Sequence, residues 1–166
     1  MASSTATEPL AAPRRLAVVS DIHGNLPALE AVAAAIAAEQ VDTVLNLGDL
    51  LSGPLWPADT AHWLIARGWP TLAGNHERQL LNDPPAQMNA SDRFARERLD
   101  ARTLAWLAAL PATLAPAPDV LAVHGQPGSD LHYLLHTVVP GHQPADPRSP
   151  PGLRGASAAR SEEAHV

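Results

Sequence analysis

Short apolar runs alternate with stretches of helical periodicity through the first part of the chain. Residues 16–20 (LAVVS) and 41–47 (VDTVLNL) are the clearest runs, and their length and valine content predict buried parallel strands. Shorter runs at 70–73 and 119–123 predict two further strands. Because helical segments separate the runs, the pattern predicts an α/β fold with a largely parallel sheet and helices outside it.

Helix signals fill the intervals between the predicted strands. Asn25 suits an N-cap and Pro27 suits a first helical turn, so a helix is expected to begin at this point. A second helix is expected over 58–67 and a long third helix over 91–110. A short fourth helix is expected near 130–136.

The two ends of the chain differ in composition from its middle. Residues 1–15 are small and polar, which predicts a disordered N-terminal tail without the apolar centre of a secretory signal. Residues 140–166 contain five prolines and no periodic apolar pattern, which predicts a Pro-rich, disordered tail. The expected folded domain therefore covers residues 16–139.

Length, hydropathy and charge limit the class of protein. The chain has 166 residues, of which 46% are hydrophobic, a composition typical of one globular domain. No apolar run approaches the roughly 20 residues of a membrane span, so a cytoplasmic protein with no membrane partner is expected. The net charge of −6 argues against a broad nucleic-acid surface. A small phosphorylated substrate remains compatible, because a bound metal adds local positive charge.

The absence of cysteine restricts the kinds of metal site that the chain can form. Disulfides, iron–sulfur clusters and thiolate zinc sites are excluded. Any metal site must therefore use histidine, aspartate, glutamate or asparagine, and the chain has eight histidines.

Polar side chains follow the ends of all four predicted strands. The set comprises Asp21, His23, Asp49, Asn75, His76 and His124. The carboxyl ends of parallel strands face one crevice, so these residues are expected to converge. Asp21 and His23 are two residues apart, which places them on one face of an extended strand. Carboxylates, imidazoles and an amide oxygen are suitable ligands for divalent transition metals.

Each of these residues also has a structural explanation. An aspartate after a strand often forms a turn or caps a helix, and a lone histidine at a strand end is often hydrogen-bonded within the fold. Four strand ends that carry mutually compatible ligands favour the functional interpretation.

Four sequence blocks together resemble the calcineurin-like metallophosphoesterase superfamily over about residues 16–139. The blocks are D-I-H-G-N, L-G-D-L, A-G-N-H-E-R and V-H-G. The residues in these blocks resemble those of the small stand-alone bacterial phosphoesterases. In the eukaryotic protein Ser/Thr phosphatases an Asp and Arg-Gly follow the G-D block, whereas residues 50–54 here read LLSGP. The resemblance implies an α/β/β/α sandwich and a metal-dependent hydrolase of phosphomonoesters or phosphodiesters.

The resemblance further implies a dinuclear metal site with a metal-activated water as the nucleophile. In it, Asp21 and His23 bind the first metal, Asp49 bridges both metals, and Asn75 and His124 bind the second. The implied cofactors are two divalent ions, Mn²⁺ first, with Fe²⁺, Zn²⁺, Ni²⁺ and Co²⁺ also compatible with these ligands.

Three further residues of the blocks have other suggested roles. The resemblance implies that His76 is catalytic, as a proton donor to the leaving oxygen or a stabiliser of phosphoryl charge. Asn25 and Arg78 are weaker candidates for substrate contacts. Helix capping is the favoured interpretation of Asn25, and pairing with a surface acid is an equal alternative for Arg78. Glu77 belongs to the A-G-N-H-E-R block but has no implied ligand role.

The chain departs from the family pattern at its end. The family's final Gly-His-x-His block, which completes both metal shells, is absent. His142 is a candidate metal ligand, but Pro144 stands where the second histidine would be, and we interpret Gly141-His142 as coincidental. The expectation is a truncated or frameshifted chain whose second sheet is incomplete. An exposed sheet face would then favour self-association.

Two alternatives to an active hydrolase follow from the same sequence. The first is a catalytically weak or inactive metal-binding remnant of a phosphoesterase. The second, a dinucleotide-binding domain, is disfavoured because the first strand leads into D-I-H-G-N rather than a Gly-x-Gly-x-x-Gly turn.

Overall fold

The computed structural model of the chain describes residues 15–134. Residues 15–131 lie in one compact unit, and residues 132–134 are the described part of a second. The elements in chain order are β1 (Leu16–Val19), α1 (Leu26–Ala38), β2 (Thr43–Asn46), α2 (Pro57–Arg67), α3 (Asn75–Asn82), α4 (Ala90–Arg96), α5 (Ala101–Ala108), β3 (Thr113–Ala117) and β4 (Val120–Val123). Among residues 15–134, none of the helices is both long enough and apolar enough to cross a membrane.

The first sheet has the predicted parallel arrangement. β1 and β2 pair in parallel, with Leu16 opposite Thr43 and Val19 opposite Asn46. The third predicted strand, 70–73, forms only a single parallel bridge, in which Thr71 pairs with Asn46. Through this bridge, residues 70–73 lie beside β2 on the side opposite β1. They lead directly into Gly74 and Asn75.

The second sheet corrects the prediction of one largely parallel sheet. β4 pairs antiparallel with β3, and the two strands form a separate two-stranded sheet. The sequence concealed β3, because Pro116 removes a backbone donor and Pro118 follows the run. The structure accommodates Pro116 at a register irregularity between Leu114 and Ala117.

The first helix begins where the sequence indicated, and the second agrees with the expected 58–67 to within one residue. The Asn25 side chain accepts a hydrogen bond from the Ala28 N–H at 3.3 Å and caps α1. α2 begins at Pro57 and ends at Gly68, whose φ of 62° is the left-handed conformation typical of a helix C-terminus.

The expected long helix over 91–110 is wrong, because the segment forms α4 and α5 with a break between them. Asp100 caps the start of α5 by accepting a hydrogen bond from the Thr103 N–H at 2.7 Å. Ala95, Leu99 and Leu107 are buried at helical spacing across the break. This continuous apolar pattern explains why the sequence predicted one helix.

Two other predictions differ from the structure. α3 was not anticipated, because Asn75 and His76 were expected at a strand end and instead form the first turn of a helix. The expected helix at 130–136 is absent over 130–134, and its remainder lies outside the described residues. Predictions for residues 1–14 and 140–166 also lie outside them, including those for His142 and both tails.

Two clusters of buried apolar side chains form the core. The larger joins the helices to the loops after β1 and β2, and contains Ile22, Leu29, Leu50, Leu51, Ala61, Leu64, Leu80, Ala95, Leu99 and Leu107. The smaller packs Leu45 and Leu72 against Ala122 of β4, so it joins the two sheets. The loops that follow β1 and β2 are consequently anchored in the larger cluster.

Candidate metal centre

Three loops and the start of a helix bring polar side chains together at one end of the strands. They comprise residues 20–25 after β1, 47–53 after β2, 73–76 at the start of α3, and the loop beginning at His124 after β4. Ile22, Leu50 and Leu51 are buried in the larger cluster. These apolar anchors fix the first two loops, which carry Asp21, His23 and Asp49.

Asp21 and His23 lie in a turn beyond β1 rather than on the strand. β1 ends at Val19, and the two residues have φ angles of 56° and 49°. The expectation that an extended strand places them on one face is therefore wrong. They converge because the turn is hydrogen-bonded to the next loop, where the Asp21 N–H donates to the Gly48 carbonyl at 3.0 Å. Oδ1 of Asp21 lies 3.7 Å from Nε2 of His23.

Backbone strain is concentrated at the candidate ligands. Among residues 15–134, four residues other than glycine have positive φ, and three of them are Asp21, His23 and Asp49. The left-handed conformation is unfavourable for L side chains and persists where surrounding contacts enforce it. Because such strain is typical of binding and catalytic sites, it marks this cluster as the candidate functional site.

Asp49 occupies the centre of the cluster and is buried, with 4% of its surface exposed. Its Oδ1 accepts a hydrogen bond from the His76 N–H at 3.1 Å. Its Oδ2 lies 3.9 Å from Nε2 of His23 and 3.5 Å from Nε2 of His124. One carboxylate oxygen is thus fixed by the backbone, while the other lies between two imidazoles.

Backbone carbonyls orient both of these imidazoles. Nδ1 of His23 lies 2.6 Å from the Ser52 carbonyl oxygen, and Nδ1 of His124 lies 2.7 Å from that of Leu47. A carbonyl can only accept, so each Nδ1 carries the proton and donates. In a neutral ring, Nε2 then presents a lone pair, which is the state of a metal-binding histidine.

The resulting set of acceptors fits a cation. Nε2 of His124 lies 3.2 Å from Oδ1 of Asn75 and close to Oδ2 of Asp49, and Nε2 of His23 faces Asp21 and Asp49. Lone pairs of nitrogen and oxygen therefore meet across short distances. A divalent metal ion satisfies such a set of histidine, carboxylate and amide ligands.

The ligand atoms form two overlapping groups that share Asp49. One contains His23, Asp49 and His76, and the other contains Asp21, Asp49 and His124; the ligand atoms of each group lie within 4.8 Å of one another. Asp49, which was predicted to bridge both metals, belongs to both groups, and its bridging role stays a prediction. The grouping of Asp21 with His124 differs from the predicted shells, so the assignment of ligands to individual ions stays a prediction.

His76 is held by a carboxylate that the sequence did not identify. Nδ1 of His76 lies 2.8 Å from Oδ1 of Asp92, whose side chain is 1% exposed. Oδ2 of Asp92 accepts from the Asn89 side chain at 2.6 Å. Acidic residues are common in the first turn of a helix, so the position of Asp92 in α4 carried no distinct signal.

Glu77 is a second residue whose role sequence reasoning missed. It is fully buried, and its carboxylate accepts hydrogen bonds from the N–H groups of Asp49, Leu50 and Gly74, each at 2.8 Å. Burial raises the pKa of Glu77, and the hydrogen bonds from Leu50 and Gly74 oppose that shift. A glutamate at the third helical position is a capping-box signal, so its bond to Gly74 was detectable from sequence.

Gly74 lies directly against the Asp49 side chain. A Cβ added there would overlap Oδ1 of Asp49 and would lie 3.0 Å from Nδ1 of His124. A residue with a side chain at this position would therefore displace the central carboxylate.

The two weaker substrate-binding candidates have structural roles. Asn25 caps α1. Arg78 forms a two-point ion pair with Asp130, at 2.6 Å from Nε and 3.0 Å from Nη2. This hydrogen bonding raises the pKa of Arg78 and lowers that of Asp130.

Comparisons with known proteins agree with this geometry. A model of the calcineurin-like phosphoesterase family matches residues 14–165. A metallophosphoesterase from Sphaerobacter thermophilus is similar in structure, with 28% identity and a TM-score of 0.60 over 73% of this chain and 51% of that one. A protein provisionally named a diadenosine tetraphosphatase has 27% identity and a TM-score of 0.59 over 71% of this chain and 52% of that one.

A third solved structure shares the fold alone. It is a hypothetical protein from Pyrococcus horikoshii OT3, with 19% identity and a TM-score of 0.52 over 60% of this chain and 49% of that one. No curated protein matches the chain. The chain spans about half the length of these three structures. The predicted metallophosphoesterase fold class is confirmed.

Proposed function

This chain belongs to the calcineurin-like phosphoesterase family, and from that premise we propose that it hydrolyses a phosphomonoester or phosphodiester. One observation carries the proposal: Oδ2 of Asp49 lies between the Nε2 atoms of His23 and His124, and a carbonyl orients each ring. Family membership supports phosphoester hydrolysis in general, and the specific mechanism and substrate belong to the proposal.

The ligand set supports two divalent ions, with Mn²⁺ the first choice and Fe²⁺, Zn²⁺, Ni²⁺ and Co²⁺ as alternatives. Asp21, His23 and Asp49 would hold one ion, and Asp49, Asn75 and His124 would hold the other. When bound, such ions supply positive charge to the phosphoryl oxygens and activate a water for in-line attack.

His76 is the residue that we assign to the leaving group. Its Nδ1 is occupied by Asp92, so its other ring nitrogen is the atom available to the substrate. From that nitrogen it donates a proton to the leaving oxygen or a hydrogen bond to the phosphoryl group. The contact with Asp92 holds the ring in one orientation, which such a transfer requires.

Hydrolysis of bis(p-nitrophenyl) phosphate in the presence of Mn²⁺ tests the proposal. We expect Asp49→Asn to reduce the rate by at least about 100-fold, because it weakens the shared ligand. Asp59→Asn is the matched control, since Asp59 makes the same charge change on the exposed face of α2. Equal rates for wild type and Asp49→Asn would contradict the enzymatic proposal.

A second candidate function is an inactive metal-binding remnant. It is favoured by the absence of a Gly-His-x-His block in the sequence. Calorimetric titration with Mn²⁺ separates the two candidates. Two ions per chain together with turnover would contradict the remnant, whereas one ion without turnover would support it.

Partners and location also remain proposals. We propose a small phosphorylated substrate in the cytoplasm, without a broad nucleic-acid surface or a membrane, and a dinucleoside polyphosphate is one substrate to assay. We also propose self-association through the second sheet, where Val120 is 41% and Leu121 is 59% exposed. Light scattering on the full chain tests this, and a monomer at all concentrations would contradict it.

A further inference from the structure

The buried carboxylate of Glu77 joins two segments of the site that are distant in sequence. Oε2 accepts from the N–H groups of Asp49 and Gly74, and Oε1 accepts from that of Leu50. In the described part of the chain, the direct hydrogen bonds recorded between residues 48–50 and 73–77 all use a side chain, either Glu77 or Asp49. Glu77 therefore supplies most of this connection.

Helix capping explains only one of the three bonds. The bond to the Gly74 N–H satisfies a free donor at the start of α3. The other two donors belong to Asp49 and Leu50, which lie in the loop after β2 and not in the helix that Glu77 caps. Burying a carboxylate is costly, so a residue serving the cap alone would not require this position.

The two additional bonds flank the strained residue of the site. Asp49 has a φ of 55°, and the N–H groups on both sides of its Cα donate to Glu77. A left-handed non-glycine residue needs surrounding contacts to maintain it. Glu77 provides these contacts, and Oδ2 of Asp49 consequently lies between His23 and His124.

We propose that Glu77 is a positioning residue, whose carboxylate fixes the backbone of Asp49 and Gly74 and so places the Asp49 carboxylate for metal binding. This inference rests on the proposed function, because it concerns the same metal site. It requires no contact between Glu77 and an ion. Its effect passes through the backbone of Asp49.

A glutamine at position 77 cannot reproduce the three bonds. An amide has one oxygen and one NH₂ group, and the NH₂ group donates rather than accepts. At least one of the N–H groups of Asp49, Leu50 and Gly74 would then face another donor. The loop would shift to relieve that contact, and the Asp49 carboxylate would shift with it.

The test is calorimetric titration of the full chain with Mn²⁺ for wild type, Glu77→Gln and Leu80→Ala. Leu80 lies on the same helix and is fully buried, but it belongs to the apolar core and not to the site. We expect Glu77→Gln to weaken Mn²⁺ binding by about 10–100-fold, as is usual for residues that hold metal ligands. We expect Leu80→Ala to lower the thermal midpoint while leaving Mn²⁺ affinity within about two-fold of wild type.

Two outcomes would overturn the proposal. One is Mn²⁺ affinity in Glu77→Gln that is within about two-fold of wild type, and the other is an equal loss of affinity in Leu80→Ala. Failure of the proposed function is distinguishable from failure of this inference. It would appear as a wild type that binds Mn²⁺ without hydrolysing any phosphoester.

A measurement on wild type keeps the proposal testable if Glu77→Gln does not fold. Amide hydrogen exchange by NMR should show the N–H groups of Asp49 and Leu50 protected to the same degree as those within α3, although both lie in a loop. Exchange as fast as that of exposed loop amides would contradict the hydrogen bonding on which the inference depends.

Discussion

The carboxylate of Asp92 lies 2.8 Å from Nδ1 of His76 and connects α4 to the first turn of α3. Both residues are held by further contacts, since the Asn89 side chain donates to Asp92 and the His76 N–H donates to Asp49. A histidine fixed in this way presents its free ring nitrogen in one direction. The pair therefore connects the metal centre to a buried acid.

We expect Asp92→Asn to lower kcat more than it raises KM. The substitution keeps the size of the side chain but replaces an acceptor-only group with an amide, so the orientation and protonation of His76 are no longer enforced. If His76 protonates the leaving oxygen, the loss should be about 100-fold for a phenyl ester and smaller for a p-nitrophenyl ester, which needs less protonation. Steady-state kinetics on both esters measures the difference. Equal losses would contradict proton donation by His76 to the leaving oxygen and would favour its hydrogen bond to the phosphoryl group.

We expect Gly74→Ala to abolish Mn²⁺ binding. The added methyl group would overlap Oδ1 of Asp49, and relieving that overlap should also cost about 1–3 kcal/mol of stability. Gly68→Ala is the matched control, because a Cβ at Gly68 meets nothing within 4 Å. The control has a φ of 62° and should lose about 1 kcal/mol of stability with Mn²⁺ affinity intact. Calorimetry and thermal unfolding distinguish the two variants, and Mn²⁺ binding by Gly74→Ala would contradict the role assigned to Gly74.

The sequence predicted the main residues of the candidate site but not the geometry that brings them together. Asp21, His23, Asp49 and His124 follow short apolar runs, and that local pattern was sufficient to expect them at one edge of a sheet. The positive φ angles of the first three depend on tertiary contacts, such as the bond from Asp21 to Gly48. Local propensity cannot predict a conformation that the surrounding fold enforces.

The missed residues and elements share a physical cause. Glu77 bonds to residues 27 and 28 positions earlier in the chain, and Asp92 lies 16 positions from His76. Their partners are defined only once the helices pack. β3 was missed because Pro116 is unfavourable in a strand unless a bulge accommodates it. Short motifs thus located the candidate ligands, while the residues that hold them required the tertiary structure.

We expect Asp21→Asn to stabilise the metal-free protein slightly and to reduce the stabilisation that Mn²⁺ provides. Asp21 and Asp49 offer ligand atoms within 4.8 Å of each other, so the two carboxylates repel when no cation lies between them. Asp21 is 58% exposed, which limits the gain to about 0.5 kcal/mol. Thermal unfolding in EDTA and in excess Mn²⁺ measures both effects. An undiminished Mn²⁺-induced increase in the midpoint would contradict the assignment of Asp21 as a ligand.

We expect the ion pair between Arg78 and Asp130 to stabilise the protein at neutral pH and to lose its effect in acid. Hydrogen bonding to Arg78 lowers the pKa of Asp130 in the folded state. A carboxyl group with a lowered pKa stabilises the fold above its unfolded pKa of about 3.9, and that contribution disappears as pH falls through the lower folded value.

Asp130→Asn should therefore reduce the free energy of unfolding by about 0.5–1 kcal/mol at pH 7, the upper range for a partly exposed pair with two-point geometry. The difference from wild type should decrease toward zero as pH falls below the lowered folded pKa of Asp130, where the carboxyl group is protonated in both states. Asp119→Asn, at an exposed position between β3 and β4 and outside any helix, is the control and should change stability little at either pH. Urea unfolding at several pH values gives the comparison. A destabilisation that stays constant from pH 7 to acid would show that Asp130 acts through its shape and not through its charge.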